Sequence, residues 1–324
     1  MRNITAFTVL VIILCCGPPV MAQEQLNYTV SLKPLFGFVS GQAEEIVYPS
    51  SRFQAPLHSL LLWDMKPVVY YGFLLDFSQV EPMNTWGGFA TFSLKYGIPG
   101  PSGIHDNSDW LSVENAGLTH FSRHDNHTRE LFFLDFTSGF SFPLNCALFL
   151  RTYLQVSFIR MSFFGMDGYG IYARSSGNDT YHPISDDPRK ETFEGKVISY
   201  TQEWFYAAPG VSLGYFYDDN FLIELSFMAS PLILCSALDE HKTTNFQYRD
   251  QMWGGILFEP GIRLSLALGK WFDISWELSW RYINGTKGMT YQRRPIGTGT
   301  YVQGGAAGAG LSIINTGLGF RVRL

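Results

Sequence analysis

The sequence has little charge. Asp, Glu, Lys and Arg make up only 16% of its 324 residues, whereas soluble proteins usually carry about 25%. Aromatic residues also reach 16%. Scarce charge beside abundant Phe, Tyr and Trp indicates that much of the molecular surface does not face water.

Basic tracts are also absent. Asp and Glu outnumber Lys and Arg by 28 to 23, so the formal net charge is −5. A mildly acidic chain without a cluster of Lys or Arg is unsuited to nucleic acid, and we expect no such partner. The sequence also lacks a Gly-rich phosphate loop and a G-x-S-x-G nucleophile elbow, so neither phosphate binding nor serine-type hydrolysis is indicated.

Cysteine is too scarce for a disulfide scaffold. Two of the four cysteines, Cys15 and Cys16, lie in an N-terminal apolar run, which leaves Cys146 and Cys235. The topology predicted below puts these two at opposite ends of the molecule, and a disulfide requires Cα atoms within about 7 Å. We therefore expect two free thiols.

The N-terminal apolar run, Ile4 to Cys16, is too short to cross a bilayer as a helix, which needs about 20 apolar residues. It follows Arg2 and precedes small residues at Val20 and Ala22. This pattern is typical of a secretory signal peptide. We expect a signal peptide over residues 1–22 and a single domain over residues 23–324.

Beyond residue 22 the sequence alternates instead of keeping a helical period. Between Phe272 and Tyr282 every second residue is aromatic or aliphatic, and the residues between them are Asp, Ser, Glu, Ser and Arg. Alternating segments of about ten residues in an exported, aromatic-rich chain favour strands with an apolar outer face and a polar inner face. The predicted fold is all-β: a transmembrane antiparallel β-barrel of the outer-membrane type.

The alternation predicts about ten strands in one domain. An even number places both termini on the periplasmic side, with long connections outside and short ones inside. The long connectors are predicted at 97–129, 164–195, 233–251 and 284–307, together with 42–56. The strands are predicted at 28–40, 58–77, 86–96, 130–142, 146–163, 196–217, 219–232, 252–268, 271–283 and 308–324.

Such a barrel is too narrow for a diffusion porin if side chains fill it. We expect the lumen to be filled by inward residues that include Arg151, Tyr153, Gln155, Glu277 and Arg281.

The candidate chemistry falls in the predicted outer connectors. Asp239 and His241 are two residues apart, so an extended chain points both to the same side. They suit either a dyad, in which the carboxylate orients an imidazole that takes a proton from water, or two polar residues of a solvated loop. A carboxylate facing them, such as Asp109, would hold that water on its other side.

Histidines offer a metal site as the alternative. The candidates are His105, His120, His124 and His127, with Asp109. An H-x-x-x-H pair aims both rings at one ion only on a helix, and this segment has no helical pattern. We therefore expect neither a metal nor another cofactor, and these histidines are left without an assigned role.

Four short segments together resemble the omptins, a family of ten-stranded outer-membrane endopeptidases of bacteria of the Gram-negative type. They are Ser40–Tyr48, Asp109–Leu111, Ser122–His124 and Asp239–His241. Their order agrees with the family over nearly the whole mature chain. The resemblance implies a membrane-embedded monomer in the bacterial outer membrane, which cleaves peptides or proteins at a mouth facing outside.

The resemblance also implies roles for single residues. Asp239 and His241 take the positions of a catalytic dyad, and Asp109 takes that of the second aspartate of a facing pair. The first aspartate of the pair falls at Asn107. Whether Asn107 or the adjacent Asp106 completes the site is open at this stage, because a bulge could turn Asp106 inward.

Two further sites of the family match only in part. Of the two acids that bind a basic residue beside the cut, one matches Glu45 and the other falls at Ala237, which implies a weakened preference for basic residues. The lipid A site of the family matches at Arg160, but its second basic residue falls at Glu203. Dependence on lipopolysaccharide is therefore expected to be weak or absent.

Two functions follow from these observations. The first is an outer-membrane endopeptidase that activates water with the dyad and the facing Asp109. Cleavage next to basic residues is one option for its specificity. The second is a catalytically impaired barrel of the same fold, which acts as an adhesin, a receptor or a structural outer-membrane protein. The natural substrate and the cut-site rule do not follow from the sequence.

Overall fold

The computed structural model describes residues 28–79, 86–185, 188–218, 220–242, 245–269, 272–293 and 300–323. Within these ranges the chain forms sixteen β-strands and no helix. None of the described residues therefore belongs to a helix capable of spanning a membrane. The signal peptide expected over residues 1–22 lies outside the described residues.

Seven strands of 20–25 residues run along the barrel wall, and the other nine described strands have 2–12 residues. In chain order the strands are β1 (Tyr28–Val47), β2 (Ser59–Gln79), β3 (Gly87–Gly97), β4 (Gly100–Asp109), β5 (His120–Pro143), β6 (Leu148–Tyr172), β7 (Ser175–Gly177), β8 (Thr180–Tyr181), β9 (Arg189–Thr192), β10 (Lys196–Phe216), β11 (Phe221–Ser230), β12 (Ile233–His241), β13 (Phe246–Trp253), β14 (Ile256–Ala267), β15 (Phe272–Arg293) and β16 (Thr300–Arg323).

The wall is a closed antiparallel sheet. In its lower half the order is β1, β2, β3, β5, β6, β10, β11, β14, β15 and β16, and β16 pairs back to β1 from Ser31↔Arg323 to Val47↔Ala307. Closure leaves this part of the sheet without a free edge, which is the condition for backbone groups to lie in hydrocarbon. The fold is therefore the predicted outer-membrane β-barrel with a ring of ten strands.

The upper half of the wall also has ten strand positions. At three of these positions one strand occupies the lower half and a different strand occupies the upper half. β3 and β4 both pair with β2 and β5, and the break between them contains Pro99, which has no N–H to donate. β11 and β12 both pair with β10, across a break at Pro231. β13 and β14 both pair with β15, across Gly254 and Gly255, whose φ angles are 76° and 85°.

The prediction that the outer connectors are loops was wrong for most of their residues, which form strands. Most of residues 97–129, 233–251 and 284–307 extend the barrel as β4, β5, β12, β13, β15 and β16, and β1 runs through to Val47. These extensions lie beyond the apolar belt, so their outer faces do not need to be apolar. Alternation of apolar and polar residues, the pattern that predicts a lipid-facing strand, therefore fades there although the backbone ladder continues.

The lower half has an apolar outer face and a charged interior. Exposed outer side chains include Phe36, Phe38, Tyr71, Phe77, Phe140, Leu213, Leu225, Phe227, Trp280 and Leu318. Inside, Arg263 binds Glu277 at 2.8 Å and Arg281 binds Glu259 at 2.5 Å. The residues predicted to fill the lumen all line this interior. Cys146 and Cys235 are free thiols, as expected.

Candidate active site

Asp239 and His241 lie on β12, on the inner face of the barrel mouth. Asp239 Oδ2 is 2.5 Å from His241 Nε2. The Asp239 side chain is only 2% exposed, and its Oδ1 atom has no hydrogen-bond partner. The ring of Tyr248 on β13 packs edge-on against the imidazole, with centroids 5.5 Å apart. The contact with Asp239 occupies Nε2 of His241, so Nδ1 is the ring nitrogen that can exchange a proton with water.

The charges around His241 stabilise its protonated form. Burial alone would lower the pKa of the imidazole, but the Asp239 carboxylate and, more weakly, the Asp109 carboxylate raise the pKa above its ordinary value. Asp109 lies on β4 and His241 on β12, and these two strands stand on nearly opposite sides of the ten-stranded ring. His241 therefore faces carboxylates from two sides of the mouth.

β4 presents every second side chain to the mouth. His105 is buried on the inner face, and Asn107 and Asp109 follow it at two-residue steps. Asp106 points to the outside, where its two carboxylate oxygens bind the Arg123 guanidinium at 2.7 and 2.8 Å. The inner position is thus held by Asn107, whose Oδ1 atom is buried without a partner.

Asp109 is a partly buried carboxyl group on the side of the mouth opposite Asp239 and His241. Burial raises its pKa to about 6, while a hydrogen bond from Ser59 on β2 and the charge of His241 act in the other direction. The group therefore titrates close to neutral pH instead of near 4.

Glu45 lies on the inner face of β1 and is 4% exposed. Its Oε2 atom has no hydrogen-bond partner. Burial raises the pKa of Glu45 well above its ordinary value, and the charges of Asp239, Asp250 and Asp109 raise it further. Glu45 thus shares the mouth with the dyad and with Asp109.

The sequence analysis missed one member of this group, Asp250 on β13. Asp250 is 5% exposed, and the ladder places it directly opposite Ala237 on β12. Burial raises the pKa of Asp250 to about 7, a hydrogen bond from Thr290 opposes this, and the charge of Asp239 adds to it. No motif marks Asp250 in the sequence. Only the pairing register of β12 with β13 reveals that it faces inward.

His105 is a neutral member of the inner row on β4. Its ring stacks on Trp63 with centroids 3.7 Å apart, and its Nδ1 atom lies 3.2 Å from the Leu62 carbonyl oxygen. Burial and the neighbouring charges of His124 and His241 lower its pKa to about 3. Its Nε2 atom is buried without a partner.

The other three histidines of the predicted metal site do not converge on one point. His124 Nδ1 lies 2.6 Å from the Asp167 carbonyl oxygen, His120 packs on Tyr172 and Tyr181, and His127 stacks on Phe164. In the part of the chain that the structure describes, no cluster of three or more His, Cys, Asp or Glu side chains is arranged to hold a metal ion.

Large buried side chains close the floor of the mouth. Trp63 stacks on Tyr200 with centroids 5.5 Å apart. The Gln202 amide donates to the Glu44 carbonyl oxygen at 3.0 Å and to the Tyr200 hydroxyl at 3.1 Å, and accepts from Trp204 Nε1 at 2.8 Å. All of these side chains are fully buried except that of Glu44. These contacts join the Trp63, Tyr200, Gln202 and Trp204 side chains into one connected buried layer.

Comparison with solved structures finds a similar fold in an outer-membrane protease. The outer membrane protease OmpT from Escherichia coli aligns with a TM-score of 0.80 and 18% sequence identity, over 94% of this chain and 100% of that one. The translocator domain of the autotransporter NalP from Neisseria meningitidis aligns with a TM-score of only 0.35 and 9% identity, over 99% of this chain and 95% of that one. No curated protein sequence matches significantly.

The family comparison covers almost all of the chain that follows the expected signal peptide. The model of the Omptin family matches residues 26–324. The match includes every strand of the barrel and every residue of the acidic mouth. The chain is therefore a member of the omptin family.

Proposed function

We propose that this protein is an outer-membrane endopeptidase that hydrolyses peptide bonds with a water molecule held between His241 and Asp109. The observation that carries the proposal is the 2.5 Å contact between Asp239 and His241 on the inner face of the mouth. Its support is the partly buried Asp109 on the facing side of the ring, whose charge raises the pKa of His241.

The dyad supplies the general base. Asp239 holds Nε2 of His241, so the second ring nitrogen, Nδ1, accepts a proton from the water as its oxygen attacks the scissile carbonyl carbon. The developing imidazolium is stabilised by Asp239. His241 then returns the proton to the leaving amine, which completes hydrolysis without a covalent intermediate on the enzyme.

Asp109 and Asn107 act on the other side of the water. Ionised Asp109 accepts the second water hydrogen and so orients the oxygen lone pair toward the substrate. Asn107 carries an amide that can donate from Nδ2 to the carbonyl oxygen, where negative charge develops. Unlike an aspartate at this position, it does not compete with Asp109 for a shared proton.

The proposed setting is a single barrel domain, residues 23–324, exported by the signal peptide. The domain acts as a monomer in the bacterial outer membrane with its mouth facing outside. The substrates are peptides or proteins, with Glu45 among the groups that bind them. Every step of the proposed chemistry uses side chains of this chain.

Fluorogenic peptides test the proposal. Protein refolded in detergent is expected to cleave them, and His241→Ala is expected to lose about 10²- to 10⁴-fold in kcat, the contribution typical of a general base. His127→Ala is the matched control, because His127 stacks on Phe164 outside the mouth. Equal cleavage by wild type and His241→Ala would overturn the mechanism.

Asn107 favours a second function, that of a barrel which has lost proteolysis and serves as an adhesin, a receptor or a structural protein. It stands on the inner face where the resemblance places an aspartate. This alternative predicts no turnover by the wild type and measurable turnover by Asn107→Asp. Turnover by the wild type would eliminate it.

A further inference from the structure

Within the described part of the chain, the barrel sheet has one open edge, that of β9. This strand pairs on one side alone, with β6, from Tyr169↔Thr192 to Tyr172↔Arg189. Each of the other described strands of the same sheet has a partner on both sides. An unpaired edge presents a row of N–H and C=O groups, which can bond to another extended chain.

The open groups of this edge belong to Lys190 and Thr192. Just after β9, the N–H of Phe193 donates to a backbone carbonyl oxygen of β6 at 2.9 Å. In an antiparallel ladder the N–H and C=O of one residue point to the same side, and the side alternates along the strand. Glu191 therefore also bonds to β6, whereas Lys190 and Thr192 direct two N–H and two C=O groups to the open edge.

The open edge lies above the strand that carries the dyad. β9 runs into β10 through residues 193–195, and both strands have β6 on one side. On the other side of β10 stands β12, which ends with the pair Ile198↔His241 and with a bond from the Lys242 N–H to the Val197 carbonyl oxygen. A chain added to β9 therefore continues the line of β12, with one end beside His241.

We propose that the open edge of β9 binds an extended segment of the substrate polypeptide as an added antiparallel β-strand. This inference rests on the proposed endopeptidase function and adds a second contact with the substrate, away from the cut. Main-chain hydrogen bonds supply the affinity in this mode of recognition, so it accepts many sequences.

The direction of the added strand determines which part of the substrate binds. Every strand pair described in the sheet is antiparallel. A chain antiparallel to β9 has the direction of β12 and runs from the dyad outward. The bound segment is therefore the one that follows the cut.

The strand β6 serves as a ruler for the length of that segment. Gly165 lies at the level of the dyad and Tyr169 at the level of Thr192. The distance between these levels is about 13 Å at 3.3 Å per residue. An added chain thus reaches Thr192 about four residues after the cut and Lys190 about six residues after it.

The edge suits a substrate segment better than a second copy of the protein. β9 has only four residues, and the side chains of Lys190 and Thr192 are exposed. Lys on a short edge strand opposes edge-to-edge pairing of identical chains. Lys190 forms no ion pair with a described residue. An acidic residue of the substrate opposite Lys190 therefore adds a favourable cross-strand pair.

Peptides of two lengths test the inference with the unchanged protein. One fluorogenic peptide extends about ten residues beyond the cut, and the other ends two residues after it. We expect kcat/KM to be roughly tenfold higher for the long peptide, the gain of one or two net hydrogen bonds. Equal values for the two peptides would overturn the inference and leave the proposed function intact.

Methylation of single backbone nitrogens in the long peptide tests the bonding pattern. Each N-methyl group removes one N–H and leaves the side chains unchanged. The advantage of the long peptide is expected to fall at every second position of the bound segment, since alternate N–H groups face β9. The positions between them are the matched controls. Losses without this two-residue alternation would contradict addition of a strand.

A proline variant removes one donor from the edge. Lys190→Pro deletes an N–H that does not bond to β6, and proline is tolerated on an edge of this kind. It should abolish most of the advantage of the long peptide and leave cleavage of the short one unchanged. Lys190→Ala is the matched control, because it keeps the N–H. Equal effects of the two variants would assign the advantage to the Lys190 charge and overturn the inference.

Direct binding makes the test independent of turnover. The affinity of His241→Ala for the fluorescent long peptide can be measured by anisotropy. It is expected to fall when Lys190→Pro is added and to persist when Lys190→Ala is added. Unchanged affinity with Lys190→Pro contradicts the inference. Absence of cleavage by the wild type would count against the proposed function alone.

Amide hydrogen exchange shows whether the edge is free to bind. The N–H groups of Lys190 and Thr192 should exchange fast in the protein alone and slowly with the long peptide, whereas that of Glu191 should be slow in both. Slow exchange of Lys190 and Thr192 in the protein alone would show that another part of the chain or a second copy covers the edge. That result would overturn the inference.

Discussion

Asp106 and Asn107 are neighbours on β4 that face opposite sides of the barrel wall. Asp106 binds Arg123 outside at 2.7 Å, whereas the Oδ1 atom of Asn107 is buried inside without a partner. The position beside Asp109 therefore carries an amide, and the charge of the inner row depends on Asp109 alone.

Replacement of Asn107 by Asp is expected to change the pH dependence of hydrolysis. Two neighbouring carboxylates cannot both ionise freely, so the pair holds a proton to higher pH than Asp109 does alone, for which the pKa is about 6. We expect the acidic limb of the kcat/KM profile to move to higher pH. A pH–rate series with Asp106→Asn as the control checks this, and coincident limbs in Asn107→Asp and wild type would contradict it.

Removal of the Asp109 charge is expected to lower the pKa of His241. The negative charge of Asp109 stabilises the imidazolium, so Asp109→Asn should favour the neutral ring at a given pH. Asp239→Asn should lower the same pKa further, because Asp239 binds the ring directly. NMR titration of the His241 ring signals measures both shifts. A pKa that stays constant or rises in Asp109→Asn would contradict the arrangement of the mouth.

Asp250 is expected to make the protein less stable as pH rises. Its pKa in the folded state, about 7, lies above the ordinary value of about 4, so the folded protein holds a proton that the unfolded chain has already lost. Stability is then highest below about pH 4 for this group and falls as pH rises to about 7.

Asp250→Asn should therefore raise the unfolding temperature at pH 8, by roughly 2–4 °C for each kcal/mol of repulsion removed. At pH 4 the effect should be small, since Asp250 is then protonated in the folded protein. Thermal unfolding followed by tryptophan fluorescence at both pH values checks the prediction. An equal effect at pH 4 and pH 8 would show that the charge of Asp250 is not the cause.

Arg160 is expected to contribute little to lipid dependence. It binds Glu130 at 2.9 Å and also pairs with Glu203, so its charge is already balanced by two carboxylates. Added lipopolysaccharide should change the rate of peptide cleavage by less than about twofold, since exposed ion pairs contribute little. The double variant Glu130→Gln with Glu203→Gln frees Arg160 and should increase the response. Strong activation of the wild type by lipopolysaccharide would contradict this balance.

The fold followed from the sequence because its signal is local. Alternation of apolar and polar residues, as in Phe272–Tyr282, reflects the two-residue period of a strand between lipid and lumen. Each of the ten predicted segments coincides with a strand of the lower ring. The strand extensions above the apolar belt were missed because a strand there needs no apolar outer face, and its ladder of backbone bonds leaves no mark in the sequence.

Of the residues at the mouth, the sequence could predict only those related by a short distance along one strand. Asp239 and His241 share a face because they are two residues apart, and a continuous strand conserves that relation. The choice between Asp106 and Asn107 could not be made in this way, because a single bulge would have exchanged their sides.

The inward orientation of Asp250 followed from the tertiary structure alone. Its role depends on which residue of β12 it meets, and a shift of the register by one residue would turn its side chain outward. The sequence by itself determined a ten-stranded barrel that carries Asp239 and His241 on one face of a strand at one rim. Only the closed sheet, by setting the register between strands, determined which carboxylates face each other across the mouth.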